Sequence, residues 1–100
     1  MLIPSNLTAR AESAAHLAIS TWGQEKQLRM AQEEMGECIA AINRLARGRA
    51  EGWEQATEEV ADVAICLVQL RMMLGEEVDR KLEEKLARLE SRLAEAMATK

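Results

Sequence analysis

The chain has 100 residues, one domain's worth, which excludes a two-domain enzyme with separate cofactor and substrate lobes. Apolar residues make up 48% and charged residues 30%, a globular balance, yet Trp22 and Trp53 are the only aromatics, so the core has to be aliphatic. The formal charge is −4, with eight acids against three bases in residues 33–62, which disfavours a phosphate-tracking nucleic-acid binder and leaves room for a cation.

Ser5 and Asn6 are N-cap residue types ahead of a helix-favouring stretch that runs to Trp22, where Gly23 offers a stop. From Gln24 onward Leu28, Ala31, Met35, Cys38, Ile42 and Leu45 recur at helical spacing, predicting a second helix that lasts until Arg47-Gly48-Arg49. Two glycines between Arg47 and Gly52 mark the one interior loop. A third helix follows from Trp53 to Leu74 and ends at Gly75. The last stretch sets Val78, Leu82, Leu86, Leu89, Leu93 and Met97 three or four apart, with Glu, Arg and Lys on the other faces, as in an amphipathic helix close to coiled-coil style. The expectation is a single all-α domain over residues 1–100, a four-helix bundle-like subunit.

The third helix is apolar on two faces. One carries Val60, Val63, Leu67, Leu70 and Leu74; the other carries Ala61, Ile65, Val68 and Met72. A helix apolar nearly all round needs neighbours on every side, so the subunit is expected to form a homodimer or homotetramer through the second of these faces and part of the fourth helix.

Two acids interrupt this apolar pattern. At about 100° per residue Glu59 falls in the middle of the arc of Val60, Val63, Cys66 and Leu70, with Asp62 about 60° away. Glu34 and Glu37 lean inward on the second helix, with Glu33 further round. Ionised carboxylates removed from water cost several kcal/mol each unless a cation compensates, and these two helices offer only Arg44 and Arg71 as interior bases. Two packed helices each offering acids at i and i+3 would surround a gap of the size that hydrated Mg²⁺ or Mn²⁺ occupies. The alternative is a solvated acidic helix face. Bundled di-iron chemistry needs Glu-x-x-His pairs, whereas His16 in the first helix is the only histidine.

The run Glu33-Glu34-Met35-Gly36-Glu37, followed after 21 intervening residues by Glu59-Val60-Ala61-Asp62, resembles the EExxE and ExxD motifs of the MazG-like, all-α nucleotide pyrophosphohydrolases. The likeness covers most of residues 22–74. In the fourth helix Lys85 and Arg92 fit the family's basic positions, while Leu89 and Leu93 stand where members often carry Asn and an aromatic residue. The resemblance implies Mg²⁺-dependent (Mn²⁺ as the alternative) hydrolysis of a nucleoside triphosphate to the monophosphate and pyrophosphate, within a dimer or dimer of dimers. It assigns Glu34, Glu37, Glu59 and Asp62 as metal ligands, and Glu33 and Glu58 as residues that position or deprotonate the water. Lys81, Lys85 and Arg92, together with Arg47 and Arg49, are candidates for the phosphates, and Trp22 for stacking on the base.

A reading from another class is a non-catalytic helical interaction or nucleotide-sensing module, in which the last helix pairs with a partner and the acids are incidental. Cys38 and Cys66 have no metal-binding or disulfide spacing, no apolar run approaches a membrane span, and the first residues lack a leader pattern, so the expected location is the cytoplasm, with neither nucleic acid nor membrane as partner.

Overall fold

In the computed structural model, which describes residues 3–99, four helices follow one another: α1 (Ser5–Trp22), α2 (Gln24–Ala46), α3 (Gly52–Leu74) and α4 (Glu77–Ala98). Among the described residues there is no strand, as the composition predicts. α1 is entered differently from the sequence expectation: Pro4 takes the N-cap position, and neither Ser5 nor Asn6 caps the helix through its side chain. Thr8 Oγ1 donates instead to the Pro4 carbonyl at 3.2 Å.

α2 and α3 form an antiparallel hairpin, and the contact between them positions everything else. Its tip closes on Gly52, which is buried and opens α3 one residue before Trp53. A Cβ at this position would lie 2.8 Å from the Leu45 Cα and 2.9 Å from the Leu45 nitrogen, so only glycine lets the two backbones approach this closely. Arg44 Nε donates to the Gln55 side-chain oxygen just inside the tip. α1 lies against α3 and, less extensively, α2, after a break at Gly23 with φ of 88°.

The core consists of small side chains: Ala15, Ala31, Cys38, Ala41, Ala56, Ala64, Cys66 and Val68. Of the stripe read on α2, Ala31 and Cys38 are buried, while Leu28, Ile42 and Leu45 stay exposed. Alanines at the contact bring the helix axes together, which leaves the long aliphatic residues at the margins of the hairpin instead of between its helices. On the second apolar face of α3, Val68 is buried and Met72 half-buried, while Ala61 and Ile65 are exposed. On the first face Val60, Leu67 and Leu74 are exposed, and Trp53 lies on the same stripe.

α4 buries no residue and touches α3 alone. Its orientation is held by a two-bond pair across the Gly75 turn, in which Arg71 Nε and Nη2 donate to Asp79 Oδ1 and Oδ2 at 3.1 and 2.7 Å. The guanidinium beside Asp79 holds that carboxyl below the usual range. The radius of gyration is 16.4 Å, against about 13 Å for a compact domain of this length. Among the described residues no helix is long and apolar enough to cross a membrane.

Candidate metal centre

Glu59 and Asp62 stand one turn apart on α3, and the antiparallel hairpin sets Glu34 of α2 opposite them. One carboxylate oxygen from each of Glu34, Glu59 and Asp62 lies within 4.8 Å of the other two. Glu34 and Glu59 are half-buried and Asp62 is exposed. In both glutamates Oε2 is withdrawn from solvent and nothing donates a hydrogen bond to it.

The electrostatics follow from this crowding. Burial pushes the Glu34 carboxyl above its usual range, and Asp62, Glu37 and Glu59 push it further. Burial likewise raises Glu59, with Glu37, Asp62 and Glu58 adding to it; Arg44 acts in the opposite sense. Arg44 is also engaged by Gln55, so it does not close an ion pair with Glu59. The buried Cys66 thiol is raised by burial and by the charges of Glu34 and Asp62, which keeps it neutral.

A cavity of about 120 Å³ opens beside the acids, lined by Glu34 and Asp62 together with Gln27, Met30, Ile65, Cys66 and Gln69. Gln27 and Gln69 are the only buried polar residues among those described, and sequence reasoning missed both. Each stands seven residues, two helical turns, from an acid of the group, Gln27 from Glu34 and Gln69 from Asp62. Their amides supply neutral donors and acceptors on the wall of a cavity that also carries two acids.

The remaining candidates fall in three places. Glu37 is exposed and outside the three-acid group, yet its charge reaches both Glu34 and Glu59. Glu33 and Glu58 are exposed on α2 and α3, and Glu58 acts electrostatically on its neighbour Glu59. Trp22 lines a pocket of about 380 Å³ whose wall includes Ile65 and Gln69, the same two residues that line the acidic cavity. Lys81, Lys85 and Arg92 are exposed on α4, and none of them lines the acidic cavity of its own chain. Lys81 Nζ lies 3.6 Å from Glu84.

Three acids clustered on a helix pair, two with buried and unpartnered oxygens, form an oxygen-rich set suited to a hard divalent cation. Compared with protein-family models, characterised proteins and solved structures, the chain matches none.

Proposed function

We propose that the protein is a nucleoside triphosphate pyrophosphohydrolase, using Mg²⁺ or Mn²⁺ to hydrolyse a (deoxy)nucleoside triphosphate to the monophosphate and pyrophosphate. The observation that carries this reading is the pair of buried, unpartnered oxygens on Glu34 and Glu59, within a group completed by Asp62. Buried carboxylate oxygens lacking donors cost free energy, and a cation is the partner that removes the cost for Glu34 and Glu59 at once. Glu34, Glu59 and Asp62 would hold it, with Glu37 as the fourth ligand. When bound, such an ion supplies charge neutralisation for phosphate oxygens and acidifies a water.

The chain's own residues account for the rest of the chemistry. Glu33 and Glu58 flank the ligands and serve to orient the attacking water or accept its proton. Hydrolysis of a triphosphate relies on alignment and charge stabilisation more than on a covalent nucleophile. The Trp22 pocket adjoins the acidic cavity through Ile65 and Gln69, which makes the indole the stacking surface for a nucleobase while the phosphates extend toward the acids. Lys81, Lys85 and Arg92 remain cationic candidates for the phosphate tail on the motif likeness alone. The working unit in this reading is a homo-oligomer, and a reducing cytoplasm suits its two free, buried cysteines.

The test is a panel of canonical and modified (d)NTPs incubated with Mg²⁺, with products separated. Pyrophosphate and monophosphate in equal amounts, abolished by EDTA, support the proposal; orthophosphate as the first product, or no turnover of any nucleotide with Mg²⁺ or Mn²⁺, rejects it. The interaction-module alternative has its own supporting observation, the unburied apolar stripe of α4. It predicts that divalent metal leaves the melting temperature unchanged.

A further inference from the structure

Trp53, Val60, Leu67 and Leu74 are seven residues apart on α3 and lie on one stripe. Their exposures are 74%, 44%, 40% and 69%, so the stripe is open from one end of the helix to the other. At about 100° per residue it is centred about 90° from Glu59, on the opposite flank from Asp62 and Gln69, and so faces away from the acidic cavity and from α1. At the Leu74 end the stripe widens into a groove of about 400 Å³ walled by Leu67, Leu70, Leu74, Val78 and Leu82. The only charged residues on its wall are Arg71 and Asp79, and they are already bonded to each other.

The geometry points to a second copy of this chain as the occupant, docked about a two-fold axis near Val63 so that Trp53 of each copy inserts into the groove at the other's Leu74. This rests on the homo-oligomer part of the proposed function and on neither the metal nor the hydrolysis. Two observations support it. First, the chain exposes 7851 Å², whereas a compact monomer of its mass exposes about 5,700 Å². The excess of roughly 2,200 Å² exceeds the ~800 Å² per partner of a standard interface and matches the burial per subunit in obligate homodimers.

Second, the stripe is self-complementary. Trp53 and Leu74 are equally far from its midpoint, so an antiparallel two-fold brings the exposed Trp53 indole onto the apolar groove at Leu74, and does so twice. This is the geometry of an isologous interface. An indole seated there buries about 150–250 Å² of its own surface and acts as the anchor of the contact.

The experiment is light scattering at micromolar concentration on the full chain and three variants. Wild type is expected at an even multiple of 11.1 kDa, the dimer as the smallest species. Trp53→Lys and Leu74→Lys are each expected to shift the mass by a factor of two or more while helicity is retained, since both positions are exposed in the single chain. Leu17→Lys, exposed on α1, is expected to leave the mass unchanged. A second readout does not depend on dissociation: under copper-phenanthroline oxidation the Trp53→Cys/Leu74→Cys double variant should form a covalent dimer. Trp53→Cys alone should not, because its two copies lie about 32 Å apart in this register. A wild-type monomer overturns both this interface and the oligomer part of the proposed function. A wild-type oligomer that survives both lysine substitutions, or a Trp53→Cys variant that cross-links by itself, overturns the interface and leaves the oligomer standing.

Discussion

Glu34 on α2 and Glu59 on α3 each turn Oε2 into the protein at a point where nothing donates to it, and both carboxyls are raised above their usual range by burial and by neighbouring acids. A carboxyl with a raised folded-state pKa holds its proton at a pH where the unfolded chain has released it. Its contribution is full below the ordinary carboxylate pKa and is lost as pH rises through the folded value.

The metal-free protein should therefore become more stable as pH falls from neutral toward the ordinary glutamate value of 4.5. Asp79, shifted the other way by Arg71, loses its contribution only below the ordinary aspartate value of 3.8 and does not mask the trend. Thermal melting in EDTA across this range measures it. Saturating Mg²⁺ should reduce or reverse the slope, since a cation held by the ionised acids stabilises the folded state more as they deprotonate.

Gly52→Ala should destabilise the hairpin by about 1–3 kcal/mol, because the new methyl would meet Leu45 backbone atoms that cannot rotate aside. Urea unfolding of the variant against wild type reads this directly. Gly36→Ala is the matched control: a Cβ there meets nothing within 4 Å, and helix propensity favours alanine by up to ~1 kcal/mol.

Arg71→Gln should free α4 without unfolding the rest. The Arg71–Asp79 pair is partly solvent-exposed, so its loss costs at most about 1 kcal/mol of global stability. The local effect is larger, because α4 has few other contacts. Limited proteolysis should cut the variant faster in the turn around Gly75, while its melting temperature stays within a few degrees of wild type.

Helix number, order and approximate ends were legible because three- and four-residue apolar spacing and the glycines at 23, 48 and 75 are strong local signals. The inward lean of Glu34 and Glu59 was legible for the same reason, as acids out of phase with an apolar stripe, whereas Asp62 and Glu37, expected to lean inward with them, are exposed. Which members of each apolar stripe would be buried was not. Spacing assigns Leu67 and Leu74 to a face, but it does not say that Ala31, Ala41, Ala56 and Ala64 will form the helix contacts and leave those leucines outside. Gln27 and Gln69 were missed because a polar residue at an inward position looks like a break in the pattern until its neighbour across the hairpin is known. The N-terminal start of α1 shifted for a local reason, since Pro4 is suited by its fixed φ to the position just ahead of a helix.

The measurement that bears most directly on the central claim is Glu59→Gln, compared with wild type in two assays on the same preparations: melting in EDTA, and Mg²⁺-dependent pyrophosphate release from nucleoside triphosphates. The neutral amide keeps the shape of the side chain and removes one of the crowded charges, so the metal-free variant should melt at or above the wild-type temperature. It is also a poorer ligand for a hard cation, so the gain in melting temperature on adding Mg²⁺ should shrink and pyrophosphate release should fall to background. A metal-free variant that melts well below wild type would mean that Glu59 is a structural partner of a base such as Arg44, and one that retains near-normal turnover would mean that the acids on α3 do not hold the catalytic metal.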